Sequence, residues 1–337
     1  MPQHIGGQGS EMRSFLSSFR FRLLIAIVGS GLLPLCVSLC VLLEHRTQFR
    51  TPMFERLDGI AEQVNSLIQQ QVVHGLWQLR MMEANIPAVR NALRRTAPQS
   101  AVSKVFDSFV RNNNFYAALA LLDPNGRVVA TNGISSNGHK LKGIPKGTDL
   151  KNLPLIRSLL EQSASMERNG IVLTTKNDPF LHTLYGTERS ALMLAQFLVD
   201  EKKHCIGVLI LFLDLSLFQD RLYMLMDSLV KSGLDGGFIL VLDHDRDGSL
   251  AYVSQNVGVD VEKIARYFSL NQGFLGKMDE VKFPHGTFVF GKKSLHDIAK
   301  NSLPMETYVC VPAKAAFKTY TRTLLSTVVF SGLGLIL

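Results

Sequence analysis

Two stretches of the chain share a pattern of apolar runs on either side of a polar turn. Residues 116–132 read YAALALLDPNGRVVATN, and residues 237–254 read GFILVLDHDRDGSLAYVS. In each stretch a mainly apolar run is followed by a turn that begins with Asp and ends with Gly, and then by a second run. Asp, Pro and Gly suit the successive positions of a tight turn. The repetition after about 120 residues predicts two modules of one kind in tandem.

The flanking patterns extend the first module. Short runs of apolar and β-branched residues predict strands, and runs with helical spacing predict helices. We expect helices at 102–112 and 153–162, and strands at 116–122, 127–132, 170–175, 191–199 and 205–213.

The second module repeats this plan with fewer residues. We expect a linking helix at 217–231, the hairpin at 237–254, a helix at 261–268 and strands at 285–292 and 306–311. Hairpins that alternate with helices predict an α+β fold, in which each module is a PAS-like antiparallel sheet with helices on one face.

Two segments lack charge altogether. Residues 23–43 are uncharged, and about 20 such residues cross a bilayer as a helix. The run is too long for the apolar part of a signal peptide, and no small-residue cleavage motif precedes Glu44. The uncharged residues 323–337 are too few for a full span, so we expect them to be the start of a second, truncated membrane helix.

The arginines around the first segment bear on its orientation. Arg13, Arg20 and Arg22 favour a cytoplasmic N-terminus, which places the region between the two segments outside the cytoplasm. The inference of this orientation is weakened by three arginines on the other flank, Arg46, Arg50 and Arg56.

Between the first uncharged segment and the first module, apolar residues recur every three or four positions. This stripe predicts a long stalk helix that ends near Pro87 and packs against a domain, a partner helix or both. We expect the stripe to support a parallel homodimer; its residues are Leu57, Ile60, Val64, Leu67, Ile68, Val72, Leu76, Leu79, Met82 and Ile86.

These expectations define a domain order. A cytoplasmic tail (1–22) and a membrane helix (23–43) precede a stalk (44–97), a membrane-distal module (98–218), a membrane-proximal module (219–318) and the second membrane segment (323–337).

Composition excludes some classes of function. The net charge of +8 over 337 residues comes from dispersed Lys and Arg, without the basic runs and interleaved aromatic residues of nucleic-acid-binding proteins. Cys36 and Cys40 lie in the first uncharged segment, whereas Cys205 and Cys310 lie in different modules. A bridge between the last two stays open at this point, and with it the redox compartment.

Neither a metal site nor a catalytic motif is expected. Asp243, Asp245 and Asp247 precede Gly248 as in the first half of a calcium-binding loop, but Ser254 stands where a bidentate Glu would be needed. A hairpin turn explains the same residues. The histidines lack metal-ligand spacing, and the sequence has no phosphate-binding glycine loop or nucleophile elbow. We therefore expect no cofactor and no enzymatic activity in this region.

The order of these elements resembles that of the bacterial double-Cache sensors. The resemblance is carried by LALLDPNGRVVATN (119–132), GVLILFLDLSLF (207–218) and TYVCVPAKAAF (307–317), which resemble a first hairpin, a closing strand and a last strand. It implies a receptor whose extracytoplasmic region binds a small molecule in the distal module. The second membrane helix would then signal to a kinase, a nucleotide cyclase or a chemotaxis domain beyond Leu337.

The resemblance also implies ligand-binding residues. Arg168, Tyr185 and Asp214 match parts of the family's amino-acid motif, but Gly170 and Ile171 replace its Trp-Tyr pair. Thr187 replaces the middle Asp of that motif, so an amino-acid ligand is disfavoured. Arg168 could bind a carboxylate or another anion, and Tyr185 could offer its ring and hydroxyl. The alternative is that neither residue binds a ligand: Arg168 would be a solvated loop residue, and Asp214 would cap a helix.

Tyr116 and Thr131, on the strands of the first hairpin, complete the predicted ligand-binding set. The functional hypothesis is thus an inner-membrane receptor with a periplasmic sensor region. Its alternative is a membrane-anchored periplasmic module that binds a protein partner and no small molecule. A polar-lined cavity in the distal module would favour the receptor, and a filled distal core with an exposed apolar patch would favour the alternative.

Overall fold

A computed structural model of the chain describes most residues from 19 to 318, together with five further residues up to 329. The described ranges are 19–85, 87–94, 98–162, 171–175, 178–187, 189–202, 204–243, 248–254, 260–271, 280–283, 286–295, 305–318, 321–322, 325–326 and 329.

The chain divides into two compact units. One comprises Met1–Glu55 and Ala313–Leu337, and the other comprises Arg56–Pro312. The first described helix, α1, runs from Phe19 to Asn85 and is followed by α2 (Pro87–Leu93) and α3 (Gln99–Arg111). Of the described residues, none belong to a helix that is both long enough and apolar enough to cross a membrane.

The first sheet contains five antiparallel strands in the order β2-β1-β5-β4-β3. Its strands are β1 (Tyr116–Leu122), β2 (Val128–Thr131), β3 (Ile171–Thr175), β4 (Ala191–Val199) and β5 (Cys205–Asp214), with α4 (Pro154–Gln162) and α5 (Pro179–Tyr185) between them.

The second sheet repeats this topology as β7-β6-β10-β9-β8. Its strands are β6 (Phe238–Asp243), β7 (Gly248–Ser254), β8 (Glu280–Phe283), β9 (Gly286–Ser294) and β10 (Met305–Pro312), and α7 (Val261–Leu270) lies between β7 and β8. In both sheets the last strand in sequence pairs with the first, at the centre. The predicted tandem of two similar modules is confirmed.

A short connector joins the two sheets. After β5 come a 3-10 helix (Leu215–Phe218) and then α6 (Gln219–Lys231). Gln219 Nε2 donates a hydrogen bond of 3.0 Å to the carbonyl oxygen of Tyr252 in β7. The connector is thereby bonded to the second sheet at its first helical residue. A last short helix, α8 (Ala313–Ala316), follows β10 directly.

The first hairpin turn has the geometry that its residues predict. Asp123 Oδ1 accepts hydrogen bonds of 2.9 Å from the backbone N–H groups of Asn125 and Arg127. Gly126 has a φ of 79°, a conformation that side-chain-bearing residues adopt only at a cost. The corresponding turn of the second module, residues 244–247, lies outside the described residues.

The apolar stripe of the stalk is buried within its own chain. Leu57, Val64, Val72 and Leu79 are each at most 1% exposed. The helix backbone at Leu57 and Asp58 lies against Gly291 of β9. The predicted packing of the stripe against a domain is confirmed, and its buried residues do not provide the contact surface of the expected parallel dimer, because the sheets of their own chain already cover them.

Polar contacts fix α1 on the second sheet as well. Asn65 is 7% exposed, donates through Nδ2 to the carbonyl of Lys293 (3.1 Å) and accepts at Oδ1 from the Thr307 hydroxyl (2.6 Å). Asp58 Oδ1 accepts from the backbone N–H of Lys292 at 2.8 Å. These bonds set the register of the helix along β9 and β10.

Helices cover both faces of each sheet, so the expectation of one helical face is wrong. Leu194 and Leu211 of the first sheet face Gly75 of α1. The neighbouring positions point to the opposite side, because side chains alternate along a strand. There they form a core with α4 and α5 that includes Ile210, Phe212, Ile156, Leu159, Phe180 and Leu181.

The helix α5 and the strand β8 were not predicted. Asp178 caps α5 by accepting hydrogen bonds from the N–H groups of Phe180 (2.9 Å) and Leu181 (3.1 Å). Pro179 occupies the first turn, and Gly186 ends the helix with a φ of 72°. Asp-Pro at the start and Gly at the end are ordinary helix boundary signals, so the sequence contained the information.

Cys205 and Cys310 do not form a disulfide bridge. All four cysteines are free. Cys310 is buried in the core of the second sheet, and burial raises the pKa of its thiol. Cys205 packs against the core of the first sheet, where burial again raises the thiol pKa.

The contact at Gly291 generates a stability prediction. A Cβ at this position would overlap the backbone of Leu57 and Asp58, so either α1 or β9 must shift. We expect Gly291→Ala to lower the free energy of unfolding by about 1–3 kcal/mol, measured by urea denaturation. Gly59→Ala, on the same helix with nothing within 4 Å of the added Cβ, should instead raise it by about 0.5–1 kcal/mol. Equal effects of the two changes would contradict this packing.

Candidate functional site

A cavity of about 550 Å³ lies in the first module. Three parts of the chain line it: the loop after β2, the C-terminal end of α5 with the segment that follows, and the end of β5. The lining residues include Ser135, Ser136, Asn137, His139, Lys140, Lys142, Leu184, Tyr185, Gly186, Arg189 and Asp214. Its volume is within the range of small-molecule sites, about 300–1,000 Å³.

Buried polar side chains hold the loop after β2. Asn132 is fully buried, accepts from the N–H of Leu119 (2.9 Å) and donates to the carbonyl of Ile134 (2.8 Å). Asp107 Oδ1 in α3 accepts from the N–H groups of Gly133 (2.6 Å) and Ile134 (3.2 Å). The loop is thus fastened to both β1 and α3.

Within the loop, Ser135 N–H donates to the carbonyl of His139 at 2.8 Å. Lys142 N–H donates to the carbonyl of Leu184 at 3.2 Å, which joins the loop directly to α5. The backbone that carries Lys140 and Lys142 is therefore held at several points, while their side chains are exposed.

Asp214 lies at the end of β5, and its side chain is only 1% exposed. Its Oδ2 accepts a hydrogen bond from Arg189 Nη1. Its Oδ1 accepts from the backbone N–H of Ser216 at 2.8 Å and from the Ser216 hydroxyl. Both carboxylate oxygens are thus bonded, and Asp214 also caps the 3-10 helix (Leu215–Phe218).

Arg189 is placed between Asp214 and Tyr185. Its guanidinium carbon lies 4.1 Å from the centre of the Tyr185 ring, a favourable cation–π distance. The Arg189 side chain remains 27% exposed. Its buried Nε has no acceptor among the described residues. A buried donor without a partner calls for an explanation, but a ligand in the adjoining cavity would meet the exposed part of the guanidinium, because this Nε is inaccessible to solvent.

Tyr185 is the last residue of α5 rather than a loop residue. Its hydroxyl donates to the carbonyl of Ala117 in β1 at 2.5 Å. Burial raises the pKa of Tyr185 to about 12; Asp214 adds to the shift and Arg189 opposes it. The hydroxyl thus stays protonated over the physiological range and anchors α5 to the sheet. One face of its ring supports Arg189.

The structure brings together only part of the predicted ligand-binding set. Tyr185 and Asp214 line the cavity, whereas Thr131 and Tyr116 are buried and do not. Tyr116 is paired with Leu213, on the sheet face that is turned towards α1. Burial raises the pKa of Tyr116, and its hydroxyl has no partner among the described residues. Arg168 lies outside the described residues.

Arg189, Lys140 and Lys142 line the cavity but were absent from the predicted ligand-binding set; Arg189 shows why. It precedes β4 by two residues, and the pairing of Ala191 with Asp214 brings the start of β4 beside the end of β5. The sequence predicts both strands, but their register cannot be inferred from alternation alone when both are apolar throughout.

Metal binding finds no support in the part of the chain that is described, where no three His, Cys, Asp or Glu side chains form a group that could hold an ion. Asp245 and Asp247 of the Asp-rich turn fall among the residues that are not described.

No protein-family model and no curated protein sequence matches the chain. Solved structures do match its fold. A domain of a sensory box/GGDEF family protein from Vibrio parahaemolyticus has a TM-score of 0.55 and 11% identity, over 80% of this chain and 98% of that one. The extracellular domain of the histidine kinase vpHK1S-Z8 gives 0.54 and 13%, over 83% and 97% of the two chains.

A third match is the ligand-binding domain of the Campylobacter jejuni chemoreceptor Tlp3, solved in complex with L-norvaline. It has a TM-score of 0.51 and 13% identity, over 81% of this chain and 96% of that one. At such identities the similarity establishes the fold. The chain shares the fold of these three domains, which confirms the double-Cache fold that the sequence resemblance implied.

Proposed function

We propose that the chain is the ligand-sensing region of a membrane receptor, and that a small molecule binds in the first module. The observation that carries the proposal is the cavity of about 550 Å³ with its converging polar groups, Lys142, Tyr185, Arg189 and Asp214. A concave site with a few fixed polar side chains is the usual form of a small-molecule site. The match to a chemoreceptor domain that was solved with L-norvaline is consistent with this role.

Closely packed aromatic rings fill the core of the second module. The ring centres of Phe268 and Tyr308 are 4.2 Å apart, and those of Phe238 and Phe288 are 5.6 Å apart. This packing suits a module that transmits rather than binds. Its last strand, β10, continues directly into α8 (Ala313–Ala316) and hence towards residues 323–337.

The membrane topology is part of the same proposal. The uncharged segments 23–43 and 323–337 would lie in the membrane, the region between them would be extracytoplasmic, and the signal would pass to an output domain. The kind of output stays open between a kinase, a nucleotide cyclase and a chemotaxis domain. Ligand binding would act by favouring one of two arrangements of the path to the second membrane helix.

The rival proposal is a module that binds a protein partner and no small molecule. One observation favours it: Val73, Trp77 and Met81 of α1 are 51%, 55% and 40% exposed and recur every four residues. Residues four apart lie on one side of a helix. Because the first module also has a polar-lined cavity, we assign this exposed stripe to self-association and retain the sensor as the main proposal.

The homodimer is thus proposed through a different face of the stalk from the one that the sequence suggested. In a parallel pair, Val73, Trp77 and Met81 of one α1 would face the same residues of the second copy. Burial of a large apolar side chain contributes about 1.5–3 kcal/mol.

The sensor proposal predicts that ligand binding depends on Arg189. The chain is first screened against small molecules by thermal shift, because a ligand that binds the native state raises the unfolding midpoint. For a ligand found in this way, Arg189→Ala should weaken binding by about 1.5–3 kcal/mol in calorimetry, since a charged hydrogen bond is lost. Arg168→Ala tests, in the same assay, the arginine that the sequence predicted.

Arg157→Ala is the matched control, because Arg157 is an exposed arginine of the same module that does not line the cavity. Its affinity should equal that of the unchanged chain. A ligand whose affinity is insensitive to Arg189 but sensitive to Arg157 would refute the proposed site.

The dimer proposal predicts a specific crosslinking pattern. In a background where the four native cysteines are replaced, Val73→Cys, Trp77→Cys and Met81→Cys should each form disulfide-linked dimers in membranes under mild oxidation. Val72→Cys is the control, because Val72 is the adjacent residue of the same type and is fully buried against the sheet. Crosslinking at Val72 that equals that at Val73 would disprove the assignment, as would monomers at all three exposed positions.

A further inference from the structure

We infer that the cavity of the first module takes a small organic anion without an ammonium group, of the carboxylate or hydroxycarboxylate class. The inference rests on the proposed function, since it names the ligand class of that site. It depends on which charges line the cavity and on which of them already have partners.

The lining is predominantly cationic. Lys140 and Lys142 lie on the loop after β2, and Arg189 lies beyond the C-terminal end of α5; all three line the cavity. Among the described residues that line the cavity, Asp214 is the one carboxylate. Basic side chains that converge on a partly enclosed site raise the local concentration of anions and bind carboxylates through charged hydrogen bonds.

Asp214 is not available to bind an ammonium group. Arg189 bonds to its Oδ2, the N–H and hydroxyl of Ser216 bond to its Oδ1, and its side chain is 1% exposed. An ammonium group placed here would have to displace Arg189 or remain without a carboxylate partner. Leaving a buried charge unpaired is costly, whereas the existing pair is already satisfied.

One face of the Tyr185 ring is also occupied. Aromatic faces bind ammonium groups, but the Arg189 guanidinium already lies 4.1 Å from the centre of this ring. The Tyr185 hydroxyl is likewise engaged, since it donates to the carbonyl of Ala117. Asp214 and the Tyr185 face nearest to it are therefore already engaged by Arg189 at this end of the cavity.

Donors, in contrast, remain available for an anion. Arg189 has five N–H donors, and although Nη1 bonds to Asp214 the side chain remains 27% exposed, which leaves donors within reach of a ligand. Lys140 and Lys142 have exposed ammonium groups, and Ser136 and Asn137 add neutral polar groups along the rim. A carboxylate between Arg189 and Lys142 would satisfy the donors on both sides.

The test compares ligands that differ only in replacement of an ammonium group by a hydroxyl. L-malate is compared with L-aspartate, and L-lactate with L-alanine, by calorimetry on the full chain, with sodium sulfate as the control for a general anion effect. We expect at least one hydroxy acid to bind about tenfold or more tightly than its amino counterpart. Its affinity should also fall as salt concentration rises.

Matched lysine variants test whether the loop provides the positive charge. Lys142→Gln and Lys140→Gln should each weaken binding of that hydroxy acid by about three- to tenfold. Lys146→Gln, an exposed residue that is close in sequence but does not line the cavity, should leave it unchanged. Circular dichroism and the thermal midpoint of each variant establish that it is folded.

The possible results separate this inference from the proposed function. If the amino acid binds as tightly as its hydroxy counterpart, or if only a neutral or cationic ligand binds and depends on Arg189, the ligand class is wrong and the sensor proposal stands. If no compound of the wider screen binds and the cavity variants change nothing, both are overturned. Equal binding of sulfate and the hydroxy acid, without dependence on Lys142, would likewise overturn the inference.

Discussion

The close approach of one helix to two sheets is the constraint on which the rest of this structure depends. The backbone of α1 lies against Gly291 of the second sheet, and Gly75 of α1 lies against Leu194 and Leu211 of the first. Glycine at these positions permits a separation that a Cβ would prevent. Each sheet buries its second face in this way, and the buried Asn65–Thr307 hydrogen bond fixes where along the helix the second sheet lies.

Most of the secondary structure followed from periodicity and turn chemistry. The strand Ala191–Val199 and the helix Pro154–Gln162 lie within a residue of their expected positions, because apolar runs and flanking polar residues mark their ends. Periodicity did not determine which partner covers the apolar stripe of the stalk. A buried apolar face is the same in sequence whether its own domain or a second chain covers it, and here its own domain covers it.

The candidate site was predictable to a smaller extent. Tyr185 and Asp214 line the cavity, but Arg189 depends on the register between β4 and β5, which local sequence does not determine. Tyr116 lies on the predicted strand, but its side chain is on the sheet face towards α1 and does not reach the cavity. The register shift between Tyr116 and Ala118 changes the alternation of side chains at that point. Single-residue details of pairing thus decide which side chains reach the cavity.

Asp214 contacts both the cavity and the connector between the two modules. The same carboxylate that holds Arg189 at the cavity also accepts from the N–H of Ser216, at the start of the turn that leads into α6. Gln219, three residues further on, is bonded to Tyr252 of the second sheet. If a ligand binds there as proposed and competes for Arg189, it would alter the charge balance at Asp214, which is the first residue of the short path from the cavity to α6. A single buried carboxylate, Asp214, thus contacts both the cavity arginine and the start of the connector to the second module.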